Sequence, residues 1–278
     1  MKKEKIADLK NIFLDIAQKH YKNTAAESDE ESSVTPYADV ICEDQYFGII
    51  RIEKSTPSFC EWVLPPLYLK SKNKDEREKE KPDLREKRES VNKFIANNFL
   101  KTIVIVLESP HTNEFFKDNN KWQSIGPACG KTGKHLYLWL PEVLLKYFPF
   151  VVDEETKKAK YYSLKDIESG LYAIKLVNAI QFQCSLGKDT AECRDAVFSE
   201  MWDKNEAIDS FIKRVKEAHP DIIINCCTRG NIKTEKNTLR SKVQVAISQN
   251  FNCLLLRAAH PSSPKFKDGL FWIDEGEY

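Results

Sequence analysis

Three residues able to act on a bond occupy the same kind of place along the chain. Glu108 ends the run TIVIVLE, Asn178 lies in YAIKLVNAI, and His260 follows CLLLRAA. A carboxylate can hold or take a proton, an amide can read a hydrogen-bonding edge, and an imidazole can exchange a proton near neutral pH. Each also has an ordinary structural explanation: a Glu before Ser-Pro caps a turn, an Asn at a strand end closes an Asx-turn, and a His before Pro rests in a loop. Together they share one position, the carboxyl end of an apolar run, and that is where a site is assembled in an open α/β sheet.

The elements that must position them follow from periodicity. TIVIVLE (102–108), YAIKLVNAI (172–180), DIIINCC (221–227) and CLLLRAA (253–259) are near-continuous apolar runs of strand length, the pattern of strands buried on both faces. Helix-like segments separate them: HLYLWLPEVLLKYF, AVFSEMWDKNEAIDSFIKRVKEAH and TLRSKVQVAISQN. Strand and helix in alternation predict a three-layer α/β/α domain around a mostly parallel four-stranded sheet, over residues 96–278. Residues 1–95 read as an N-terminal extension. In it, Ile6, Leu9, Ile12, Phe13 and Ile16 form one helical stripe, TAAESDEESSVTP reads as a linker, and YADVICEDQYFGIIRIEK supplies one or two strands. The segment 70–92 is almost wholly charged and of mixed sign, which predicts a solvated helix or loop.

The stretch SIGPACGKTGKHL (124–136) looks at first like a phosphate-binding loop. A Walker loop needs G-x-x-x-x-G-K-S/T directly between a strand and a helix, so that its N–H groups wrap the phosphates. Here the spacing from Gly126 to Gly130-Lys131-Thr132 is one residue short, and residues 109–125 separate the motif from its strand. A nucleoside triphosphate is therefore not an expected partner.

LESPHTNE followed by GPACGKTGKHL, then LVNAIQFQ, then AAHPSSPKF, in that order over residues 102–266, resembles the motif series of the uracil-DNA glycosylase superfamily, its thermophilic-type members above all. The resemblance implies a DNA glycosylase that flips a nucleotide and hydrolyses its N-glycosidic bond to leave an abasic site. It implies Glu108 near the attacking water, Asn178 on the base edge, and His260 stabilising the departing base or the sugar cation. Ser109, Pro110, His111, Ala128, Cys129 and Gly130 would wall the base pocket. Such chemistry is coherent, because cleavage develops positive charge on the sugar and negative charge on the base. Extrusion of a nucleotide also calls for loops that approach it closely, a role for the glycines.

The chain departs from the pattern in three places. Ser109 stands where the best-known uracil enzymes have an Asp, with His111 beside it in place of a bulky aromatic. Pro127-Ala128-Cys129-Gly130 replaces Pro-Phe-Val-Gly, which removes a stacking ring and predicts room for a base larger than uracil. The N-terminal C-x-x-C of the iron-sulfur members is missing, so no metal and no cofactor are expected. These departures are similar to those expected of bacterial antiphage members that remove hypermodified bases such as glucosylated hydroxymethylcytosine. Repair of plain uracil, or a binding module that has lost its chemistry, are the rival readings. For DNA contact the expected residues are Arg229 and Lys233, within a basic run through Lys236, Arg240 and Lys242, and Ser262, Ser263, Lys265 and Phe266, with Pro264 or Phe266 wedged into the base stack.

Composition limits these readings. Lys and Arg number 43 against 42 Asp and Glu in 278 residues, so the net charge is +1 and any polyanion contact must be a local patch. The eight cysteines show no C-x-x-C spacing, which predicts reduced thiols, and with no signal peptide or membrane span in evidence a cytoplasmic protein is expected.

Overall fold

The computed structural model describes residues 3–25, 37–54, 58–71, 73–98, 100–147, 168–186, 193–230 and 238–272. At its centre are the four expected parallel strands, β3 (Lys101–Leu107), β6 (Gly170–Asn178), β7 (Ile222–Asn225) and β8 (Leu254–Arg257), ordered β6-β3-β7-β8. Three antiparallel strands widen this sheet to seven. β1 (Gln45–Glu53) pairs with β6, β2 (Phe59–Leu64) with β1, and β9 (Phe271–Trp272) with β8. Thus the segment that sequence set apart as an extension supplies one edge of the main sheet. Part of the stretch between β3 and the glycine loop folds as a separate hairpin, β4 (Phe115–Asp118) and β5 (Lys121–Ser124).

Alternate strand residues serve two cores. Val104, Val106, Val177 and Ile223 face α1 (Lys3–Ala25), α4 (Arg194–Trp202), α5 (Asn205–Lys216) and α6 (Leu239–Asn250). Ile103, Ile105, Leu107, Ile174, Leu176 and Ile224 face Leu136, Leu140, Val143 and Leu144 of α3 (Lys131–Tyr147). This is the three-layer arrangement, and it explains why the strands read as near-continuous apolar runs: β3 and β7 are buried on both faces, and β6 and β8 largely so. The N-terminal stripe docks as its spacing requires, with Leu9, Phe13 and Ile16 buried and Phe13 stacked on Phe182 at 4.7 Å.

The charged segment departs from expectation. It forms α2 (Lys74–Ala96), capped by Asn73, whose side chain accepts the N–H groups of Asp75 and Glu76. Most of it is exposed, but Lys81, Leu84, Arg88 and Ile95 are buried at steps of three, four and seven residues. A single stripe suffices to dock a helix, and its two cations are tolerated inside because backbone carbonyls receive them. Lys81 Nζ donates to the Phe115 carbonyl at 2.8 Å, and Arg88 donates to the carbonyls of Leu67 (3.0 Å) and Pro127 (2.8 Å). Among the described residues no helix is long and apolar enough to cross a membrane.

Candidate functional site

After β3 the chain crosses to β6 on one side and then to β7 on the other. That reversal opens a crevice outside the carboxyl ends of the strands, the general ligand position in such sheets. A cavity of about 310 Å³ lies there, walled by the ends of β3, β7 and β8, the start of α3 and Arg194 of α4. Of the expected residues, Glu108, Ser109, Pro110, His111, Gly130, Ser262 and His260 line it.

Glu108 is buried, and its carboxylate ties three segments together. It accepts the Thr228 N–H after β7 at 2.9 Å and lies 3.2 Å from Arg194 Nη1, while its carbonyl accepts the Ile180 N–H after β6. His260, after β8, is held through Nδ1, which accepts the Ser262 N–H at 3.2 Å and contacts Ser262 Oγ at 2.8 Å. An Nδ1 that accepts an N–H carries no proton, so the neutral ring bears its hydrogen on Nε2. Burial is the largest influence on its pKa and lowers it; Glu108 opposes this, while Arg194, Arg240 and His111 add to it. The site therefore sets a neutral donor imidazole beside a carboxylate that shares the Arg194 guanidinium with Asp195, which accepts from its Nε at 2.9 Å.

Asn178 is not brought into the cavity. It ends β6 with its side chain 1% exposed and is absent from the cavity wall. In parallel register it lies beside Leu107, which does line the wall, so the amide stands one strand away and sealed. Its backbone is firmly held: the N–H donates to Asp44 at 3.3 Å, the carbonyl accepts Arg214 Nη2 at 3.0 Å, and Arg214 Nη1 grips both Asp44 oxygens at 2.8 and 2.7 Å. Both polar atoms of the Asn178 side chain are nevertheless buried without a protein partner, as is Gln45 Oε1 on β1. Orphaned buried amide atoms cost about 1–3 kcal/mol each, and native structures rarely retain them without a function or a bound water.

The glycine loop is also corrected. Ala128 and Cys129 are fully buried and absent from the cavity wall, so the cavity's room is not owed to the ring missing there. The loop follows β5 of the hairpin, not a strand of the main sheet, and the setting of a phosphate loop is absent from it. Gly133 is required by close approach, since a Cβ there would overlap the Ala128 carbonyl. Ala128 itself has φ +55°, a left-handed conformation that L-residues avoid.

What holds Ala128 there is a residue that sequence reasoning missed. Glu114 is buried and lines the cavity; its Oε1 accepts the Ala128 N–H at 2.7 Å and its Oε2 accepts the His111 N–H at 3.3 Å. Burial pushes its pKa up to about 7, against the pull of the Ala128 N–H, Arg88 and the His111 N–H. The available signal was spacing: His111 caps the 3-10 turn Thr112–Glu114, and Glu114 returns the bond from three residues on, the reciprocal pattern of a capping box. Arg194, Thr228, Lys131 and Thr132 also line the cavity without having been expected there.

The expected DNA contacts divide. Phe266 is fully buried against the α3 core and cannot enter a base stack. Ser263 caps the turn Pro264–Asp268 by accepting the Lys265 N–H, leaving Lys265 exposed. Arg229 is exposed, but Arg240 donates to the Cys227 carbonyl at 2.9 Å and Lys242 pairs with Asp203 at 2.8 Å, so much of that basic run is engaged within the fold. Lys233 and Lys236 lie outside the described residues. The chain matches no family model, no curated protein and no solved structure.

Proposed function

We propose that this chain is a DNA glycosylase that extrudes a nucleotide into the cavity and hydrolyses its N-glycosidic bond, with an enlarged or modified base as substrate. The single observation that carries the reading is that Glu108 and His260 line one cavity, the imidazole fixed with its hydrogen on Nε2. In this scheme the base departs with the bonding electron pair, and His260 Nε2–H donates to the oxygen on which charge collects. The Glu108 carboxylate stabilises the sugar cation. Water then adds hydroxide to the anomeric carbon, and its proton passes to the base. A volume of about 310 Å³ is at the lower end of the roughly 300–1,000 Å³ of small-molecule sites and suits a nucleobase. Action on a hypermodified phage base is the finer form of this proposal and rests on the departures at Ser109 and His111, since Ala128 and Cys129 lie off the cavity wall.

A second reading, a nucleic-acid-binding module without chemistry, is favoured by the Arg194–Glu108 pair, which spends the carboxylate's charge inside the protein. The two separate in one experiment. Abasic-site formation is measured on plain, uracil-containing, hydroxymethylcytosine-containing and glucosylated DNA, with His260→Ala and Asn178→Ala as controls. The enzyme reading expects release from one DNA class, slowed about 10²–10³-fold by His260→Ala, the size of losing one stabilising donor, with DNA affinity retained. Release of uracil alone makes it a repair enzyme. Silence on every DNA, with binding intact, favours the module.

A further inference from the structure

One rim of the cavity carries a concentration of charge that the chemistry above does not use. Lys131 and Thr132, at the start of α3, line the cavity. Lys134 and Leu138 follow on the same exposed stripe, Leu138 with 49% of its surface open. Between them His135 is bonded through Nδ1 to the Pro261 carbonyl at 2.9 Å, which ties the helix to the His260 loop, and its ring lies 4.0 Å from that of Trp139. Lys267 Nζ sits 4.2 Å over the same Trp139 ring. Phe266 explains this placement: buried against the α3 core, it leaves its neighbours Lys265 and Lys267 exposed. Burial lowers the pKa of His135, and Lys131, Lys134 and Lys267 act in the same direction, against the Pro261 carbonyl.

We infer that this ridge, Lys131, Lys134 and Lys267 around Trp139, binds the phosphodiester backbone of the DNA strand that enters the cavity. The inference rests on the DNA reading of the cavity. In a chain of net charge +1 three lysines gathered on one rim are a local feature, and Lys131 among them lines the cavity itself, where an entering strand must pass. Lysine suits the role, because its stem packs on apolar surface while the ammonium meets phosphates along a moving backbone. The aromatic support of Lys267 holds one of those charges in place. This surface replaces the Phe266 wedge and much of the Arg229–Lys242 run as the expected DNA contact.

The test measures binding of the full chain to fluorescein-labelled duplex DNA by anisotropy across a salt series. Wild type is compared with Lys131→Gln/Lys134→Gln/Lys267→Gln, which keeps most of each stem. A control, Lys204→Gln/Lys213→Gln/Lys216→Gln, removes the same charge from α5 on the opposite layer, where these lysines are exposed. Each phosphate contact contributes about 0.9 to the slope of log K against log salt, so the ridge variant should lose roughly 2 to 3 in slope while the control keeps the wild-type slope. Lys134→Glu alone should weaken binding in the same direction, with an unchanged thermal midpoint confirming the fold. Equal losses in both triple variants, or none in the ridge variant, overturn the ridge and leave the glycosylase reading to its base-release assay. Failure of wild type to bind any DNA overturns both.

Discussion

Glu108 and Glu114 line the same cavity, belong to the same segment after β3, and are both almost closed to solvent, yet they stand in opposite electrostatic settings. Glu108 has a cation at 3.2 Å, shared with Asp195, and a backbone N–H at 2.9 Å. Glu114 relies on two backbone N–H groups, with Arg88 near enough to act on it but engaged with carbonyls, and burial leaves it exchanging its proton near pH 7. Residue type and burial therefore do not settle what a carboxylate in this cavity can do. The first is an ion-paired carboxylate that organises strand ends; the second is a titrating latch joining His111 to the glycine loop.

The largest expected effect comes from removing the cation of the first pair. Arg194→Met leaves the buried Glu108 charge without its partner and should cost about 3–5 kcal/mol of stability by urea denaturation. Glu108→Gln in the same background should recover a large part. An additive double mutant would erase the distinction between the two carboxylates.

The second prediction concerns Glu114 and pH. Its folded pKa, about 7, lies above its ordinary 4.5, so between these values the folded chain holds a proton that the unfolded chain has released. That contribution is fully present below pH 4.5 and is lost as pH rises to about 7. At ~1.4 kcal/mol per unit the loss is on the order of 3 kcal/mol. His260, its pKa lowered from 6.5 by burial, acts in the opposite sense, since its unfolded form takes up the proton first as pH falls. It is common to wild type and Glu114→Gln, so the difference between their urea stabilities at pH 5 and pH 7.5 isolates Glu114. A difference that does not change with pH would remove the titration assigned to Glu114.

The smallest effect is at the latch's other end. Ala128→Gly keeps the N–H that Glu114 accepts and relieves a left-handed Ala, a conformation costing roughly 1–2 kcal/mol. After the added chain entropy of Gly, a gain of about 0.5–1 kcal/mol should appear in the thermal midpoint. A loss would mean that the methyl, not the bond to Glu114, holds the loop.

The four parallel strands were legible because burial on both faces leaves no alternation to blur them, and α3 and α6 because their apolar stripes are complete. The segment 196–219 read as one helical stretch, but it breaks into α4 and α5 between Trp202 and Asn205. Glu108 and His260 were legible as cavity residues because each immediately follows a β-strand run and has nowhere else to go. Asn178 was not: it is the last residue of its strand, so sheet register, not proximity in sequence, decides whether its amide enters the cavity or stands beside it. Phe266 between two lysines looked like an exposed wedge, and only packing against α3 shows it to be an anchor.

By itself the sequence determined the parallel core and the strand ends where polar residues gather, since these follow from local periodicity and spacing. Only the tertiary structure decided that β1 and β2 join the main sheet, that a charged helix lends Arg88 to the Pro127 carbonyl, that Arg194 partners Glu108, and that Glu114 is enclosed enough to titrate near neutrality. Each of these depends on groups far apart in the chain sharing a low-dielectric interior, and no local pattern of residues encodes which of them will meet.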